Sequence, residues 1–270
     1  MIRKYINSKF LFFVLSLCFS FSFIKQDEPK LRVIKTKLDY FTSDNLGNVF
    51  TVKDGELVKY LVNGKLFARY SNLKLGDITT IDAINPLKIL LYYRDFQQII
   101  FLDNQLTTNS EPISLETLGY EQTDLVCAGA NNSFWIYNKQ NNDLIRFNEN
   151  SKKIASTGNL KQILKTDLKP NFMREHNGYL FLNSPETGIY VFDIFGTFSR
   201  IISLKNLKQF EINEDIIYFQ KDSLYCSYNY KLFDELCKQL PNYSHILDVR
   251  YNNNKLYFGF KDSLLIQNLN

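Results

Sequence analysis

Histidine is almost missing from this 270-residue chain, which carries only His176 and His245. Two such residues, 69 positions apart, match no zinc-ligand spacing, and no HExxH helix is present. The chain also has no CxxC pair, no phosphate-cradling glycine loop and no serine nucleophile elbow. These absences remove the common metalloprotease, nucleotide-binding and α/β-hydrolase readings. Like-charge blocks are lacking too: the net charge of +4 is spread evenly, which gives no argument for nucleic acid as a partner. Tryptophan occurs once, and cysteine four times.

The one long apolar run lies at the N-terminus. Arg3, Lys4 and Lys9 precede an apolar and serine-rich stretch from Phe10 to Ile24, and charge returns at Lys25. A basic segment followed by a short apolar one has the form of a signal peptide, over residues 1–24. The run falls short of the roughly 20 residues a membrane span needs. Cys18 within it offers a lipidated alternative, and an uncleaved anchor is another. The expected localisation is therefore extracytoplasmic, periplasmic or secreted. Beyond this segment Cys127, Cys226 and Cys237 remain, an odd number that excludes a disulfide framework. Cys226 and Cys237 lie in one repeat and could pair if the chain is exported; a two-residue turn at Asn229-Tyr230 would not place them opposite one another, so two half-buried thiols are the favoured expectation.

What the chain has in abundance is phenylalanine and tyrosine, 23 and 17 of them. Aromatic and β-branched residues suit pleated, half-buried surfaces. They recur in short runs that begin at Asn48, Lys88, Ser133, Tyr179, Ile216 and Lys255, at intervals of 37 to 46 residues. A loose period near 40 marks a repeat architecture. Each repeat reads as up to four strands separated by turn signals such as Lys53-Asp54-Gly55 and Asn63-Gly64. The sixth repeat, Ile246 to Asn268, lacks an outer strand, while residues 31–37 form a strand-like run that belongs to no repeat. An open sheet edge is a liability. Pairing 31–37 with Ser263–Asn268 removes it, which predicts an all-β, six-bladed β-propeller over residues 31–270, closed by its N-terminal strand. Lys53-Asp54, Arg94-Asp95, Lys221-Asp222 and Lys261-Asp262 recur between second and third strands, and turn chemistry accounts for them.

Asp44-x-x-Gly47-Asn48-x-Phe50, followed by Lys59-Tyr60-x-x-Asn63-Gly64-Lys65, resembles the NHL-type six-bladed propeller repeat. Ile189-Tyr190-Val191-Phe192-Asp193-x-x-Gly196-x-Phe198 resembles it as well. The resemblance implies a disc with a central channel and two loop faces, and it implies no single activity. Gluconolactonase-like propellers are enzymes that hold a divalent cation in that channel with Glu, Asn and Asp. Here Asp39, Asp82, Asp124, Glu175, Glu211 and Asp248 lie on or beside the innermost strands, one per blade. With His176 beside Glu175, this makes Asp124, Glu175, His176, Glu211 and Asp248 the candidate ligands of a metal, with calcium as the cation. Exposed aromatics on a loop rim are typical protein-contact anchors. Phe96 is the candidate partner-binding residue; Tyr120, Tyr230 and Tyr243 lie in connectors, where anchoring and burial under neighbouring loops are both open. The functional expectation is an exported, non-catalytic scaffold without a cofactor that binds a protein or glycan partner through one loop face. The alternative is a divalent-metal-dependent hydrolase or lyase of gluconolactonase type.

Overall fold

The computed structural model describes residues 31–108 and 110–269. The signal-peptide, cleavage and Cys18 expectations fall outside the described residues. The chain from Leu31 onward builds six four-stranded antiparallel sheets.

Strand β1 (Leu31–Lys35) comes first. Blade 1 then holds β2 (Tyr40–Ser43), β3 (Val49–Lys53), β4 (Glu56–Tyr60) and β5 (Leu66–Ser71). Blade 2 holds β6 (Thr80–Asp82), β7 (Ile89–Tyr93), β8 (Gln98–Leu102) and β9 (Ile113–Ser114). Blade 3 holds β10 (Thr123–Ala128), β11 (Phe134–Asn138), β12 (Asp143–Phe147) and β13 (Lys153–Ser156). A short helix α1 (Leu160–Leu164), capped by the Asn159 side chain, leads to blade 4. That blade is β14 (Phe172–His176), β15 (Tyr179–Ser184), β16 (Gly188–Asp193) and β17 (Phe198–Ile202). Blade 5 is β18 (Glu211–Asn213), β19 (Ile216–Lys221), β20 (Leu224–Asn229) and β21 (Asp234–Gln239). Blade 6 has β22 (Asp248–Asn252), β23 (Lys255–Gly259) and β24 (Ser263–Asn268), and β1 supplies its outer strand. Val33 pairs with Leu265 and Ile34 with Leu264, so the ring closes as the unpaired edge required.

Burial explains the sequence pattern. Second strands of every blade but the fifth are covered on both faces: Phe134, Trp135, Ile136, Tyr137 and Asn138 are all buried, for example. Such strands read as continuous apolar runs instead of alternating ones. Outer strands meet solvent, and every residue of β21 is exposed. The core is split into six apolar clusters that sit between neighbouring blades. Phe50 and Leu57 meet Ile89 and Leu91 between blades 1 and 2, for example. Between blades 6 and 1, Ile34, Leu264 and Tyr257 meet Phe41 and Val58.

The residues that carry the NHL-like pattern are turn residues. Asp44 Oδ1 accepts the backbone N–H groups of Leu46 (3.0 Å) and Asn48 (2.8 Å). Asp103, Asn148 and Asp193 repeat this bonding to the residues two and four positions on. The fourth residue of each turn is left-handed: Gly47, Leu106, Ser151 and Gly196 have φ of 83°, 62°, 58° and 87°. Glycine is demanded at Gly196, where an added Cβ would lie 2.9 Å from the Ser156 carbonyl carbon of blade 3. The Lys/Arg-Asp pairs are local as well. Asp54 and Asp222 adopt left-handed turn conformations, and Lys53 bonds Asp39 at 2.8 Å.

One expectation is overturned. Cys226 and Cys237 are joined in a disulfide, and the buried Cys127 is the free thiol among the described residues. The loop between β20 and β21 is four residues long, Tyr230 to Phe233, so Asn229 pairs with Asp234 and Cys226 falls directly opposite Cys237. The two-residue turn inferred from Asn229-Tyr230 would have placed the register elsewhere.

Candidate functional site

Strand alternation in the innermost strands controls the channel. Successive side chains point to opposite faces of a sheet. In a propeller those two faces look toward the two neighbouring blades. Strand β14 therefore hands Arg174 to blade 5, where it pairs with Glu211, and Glu175 to blade 3. Glu175 accepts hydrogen bonds from Ala130 N–H (2.7 Å) and Trp135 Nε1–H (2.6 Å). Arg146 of β12 lies 3.5 Å from the same carboxylate and donates to Ser133 Oγ at 3.0 Å.

The same device recurs around the ring. Asp82 Oδ2 of blade 2 accepts Ala128 N–H of blade 3 at 3.0 Å. Arg250 of β22 bonds Asp248 (3.0 Å), Gln209 Oε1 (2.8 Å) and Thr42 Oγ1 of blade 1 (3.3 Å), and sits 3.5 Å from Glu211. Lys59 of blade 1 donates to Asn104 O of blade 2 at 2.6 Å. Arg146, Arg174 and Arg250 are all buried. Burial of Arg174 lowers its pKa, opposed by the nearby Asp82 carboxylate. Buried charges hold such positions when they are paired and hydrogen-bonded.

Each predicted ligand position has a defined place in this arrangement. Glu211 and Asp248 come together through Arg250. Glu175 faces blade 3. Asp124 sits at the rim, 3.4 Å from Lys139. Half-buried His176 places Nε2 2.9 Å from Glu214 O. None of the five joins two further His, Cys, Asp or Glu donors within 4.8 Å; among the described residues only Cys226, Glu235 and Cys237 form such a group, and its two cysteines are bonded to each other. The three arginines went unread in the sequence, although Asp248-x-Arg250 and Arg174-Glu175 on innermost strands were a visible signal of internal pairing.

Burial holds the His176 imidazole below its ordinary pKa, with the Arg174 charge acting in the same direction. The unfolded chain then binds the proton more tightly than the folded one. Stability should be constant above the usual imidazole value of about 6.5 and decline as pH falls below it. Urea titrations over that range check this. His176→Gln is expected to flatten the decline, and an unchanged slope would exclude the residue as its source.

Antiparallel order sorts the loops onto two faces. One carries the blade-to-blade connections and the turns between second and third strands; call it the connector face. Phe96 lies there, 47% exposed, with its ring over Gly76, and Leu73 nearby in sequence is 82% exposed. The other connector aromatics are used internally: Tyr120 packs edge-on against Phe147, Tyr230 is buried, and Tyr243 packs on Phe258 and Phe260. A cavity of about 370 Å³ opens on the connector face between blades 5 and 6. Another of about 280 Å³ lies beside it over Leu38, Asp39 and Tyr40. On the opposite face, cavities of about 470 and 250 Å³ share Ile84 and His176.

This geometry defines the class: a six-bladed β-propeller with a pinned channel and two loop faces. No protein-family profile matches the chain, and no curated protein sequence does. Solved structures do. A streptogramin B lyase is similar with a TM-score of 0.58 at 14% identity, over 89% of this chain and 98% of that one. A gluconolactonase from Xanthomonas campestris is similar at 0.60 and 9% identity, over 90% of each chain. A chain of the mitotic checkpoint complex is similar at 0.64 and 7% identity, over 90% and 92%. The likeness is one of fold, and it spans lyase, gluconolactonase and assembly proteins alike.

Proposed function

We propose that this protein is a non-catalytic β-propeller scaffold, working outside the cytoplasm, that engages a protein or glycan partner through its connector face. The observation that carries this reading is the pairing of the channel acids. Asp82, Glu175, Glu211 and Asp248 each accept from an arginine, an indole or a backbone N–H, so their charge is spent on holding blades together. A catalytic cation site would need those carboxylates to converge on one point. The Cys226–Cys237 disulfide supports an oxidising compartment, since disulfides persist outside the cytoplasm. Phe96 supports the choice of face, as an exposed aromatic on the short 3-10 turn between β7 and β8 of blade 2.

The test replaces Phe96 by a photo-crosslinking phenylalanine analogue, with Leu87 on the opposite face as control. Irradiation in the source cells should give a discrete adduct from position 96 and none from position 87. Phe96→Ala should leave the melting temperature within about 2 °C, as expected for a surface substitution, and abolish capture of the partner so identified. Adducts from position 87 alone would overturn the assignment of the face. Calcium titrated into chelator-treated protein should release no heat; a stoichiometric isotherm would revive the metal-dependent hydrolase or lyase.

A further inference from the structure

We propose that the cleft between blades 5 and 6 is a binding site for a neutral oligosaccharide; this deepens, and rests on, the reading of the connector face as a binding surface.

The cleft is built on tyrosines. Tyr218 of β19 and Tyr251 of β22 stack with ring centroids 3.8 Å apart, bridging the two blades. Tyr225 of β20 stacks beside them, 6.3 Å from Tyr218 and 6.2 Å from Tyr251. All three line the cavity of about 370 Å³. That volume falls within the range of about 300–1,000 Å³ typical of small-ligand sites. Tyr225 is 9% exposed, and its buried hydroxyl has no hydrogen-bond partner. A buried hydroxyl left unpaired is costly, and such groups in native proteins call for a partner. Burial raises the pKa of the Tyr218 and Tyr225 phenols, so both hydroxyls stay protonated.

The charge balance selects the ligand. Glu211 is paired with Arg174 and Arg250, and Asp248 with Arg250. Across the lining of the cleft, Lys208, Lys221 and Arg250 balance Glu211, Asp222 and Asp248. No net charge is left over to recognise an anion or a cation. What remains is directional: both contacts of Asp248 run through Oδ2, and Gln220 donates to Asp222 O through Nε2, which leaves its Oε1 to accept from a ligand. Flat aromatic faces beside amide and carboxylate acceptors suit a molecule with apolar C–H faces and a rim of hydroxyls. That is a sugar ring.

The length follows from the neighbouring cavity. The cleft and the 280 Å³ cavity over the channel mouth share Gln209, Asp248 and Arg250 as a common wall. A second ring can therefore continue from the tyrosine cleft toward the axis, which favours an oligosaccharide over a single sugar.

Saturation-transfer NMR on the whole protein tests this, with cellobiose, maltose, lactose and diacetylchitobiose as neutral probes and tetramethylammonium as the cation probe. At least one disaccharide should receive saturation on its ring C–H protons. Tyr218→Ala should weaken that binding tenfold or more, and Gln220→Leu, a milder change to the same wall, should weaken it several-fold with an unchanged melting temperature. Transfer to none of the disaccharides, binding indifferent to both substitutions, or preferential binding of tetramethylammonium would overturn the proposal. Persistence of the Phe96-dependent adduct alongside any of these would remove the sugar site alone; loss of both would remove the connector face as a binding surface.

Discussion

Arg250→Ala is expected to destabilise the protein by about 3–5 kcal/mol, the range for removing one partner of a buried ion pair. Arg250 is 7% exposed and touches Asp248 of its own strand, Gln209 and Glu211 of blade 5, and Thr42 of blade 1. Truncation would leave the Asp248 carboxylate with only Gln209 and would remove one of two cations beside Glu211. It would also cut a link across the last and first blades, where the ring is closed. For a chain of this size the loss corresponds to a fall in melting temperature on the order of 10 °C. Urea denaturation measures it directly. Asp248→Asn in the Arg250→Ala background should recover part of the loss, because it discharges a carboxylate left with only the neutral Gln209. A loss below about 1 kcal/mol would mean that the channel network does not hold the blades together.

Ile34→Asp should be at least as damaging, and Val33→Asp should be nearly silent. The two residues are adjacent in β1, yet Ile34 is 4% exposed and Val33 is 59% exposed. Ile34 packs with Leu264, Ile266, Phe41 and Val58, the cluster between blades 6 and 1. A carboxylate placed there has no partner, and burying it costs several kcal/mol or forces its protonation. The expected outcome is loss of a cooperative melt or a shift of more than about 4 kcal/mol, against about 0.5 kcal/mol or less for Val33→Asp. The pair isolates the closing strand. If both variants behave alike, β1 does not seal the sheet as described.

The strands were legible because blade packing writes itself into local sequence. A second strand buried on both sides, such as Phe134-Trp135-Ile136-Tyr137, has no polar position to hide. The turns were legible because Asp44 and Asp193 bond their own backbone, an interaction confined to five residues. The closing strand was legible from an imbalance, a strand too few at one end and a strand too many at the other. Less was legible at the fourth strand of blade 2, which shrinks to Ile113–Ser114 within a long connector. The disulfide was misread for a local reason. Phe233 takes a left-handed conformation that bulky residues rarely adopt, which lets a four-residue loop stand where a two-residue turn was inferred.

Taken alone, the sequence determined the blade count, the closure and the sites of the turns, since each depends on residues close together in the chain or on simple counting of strands. Only the tertiary structure decided how the acids of the innermost strands are used. Glu175 meets Trp135 across 40 positions and Arg250 meets Thr42 across 208, and no local rule sets which face of a strand looks toward which neighbour. The physical reason is that a strand's two faces are equivalent until other blades pack against them, so one row of carboxylates can serve a cation or a set of interblade clasps with the same local pattern.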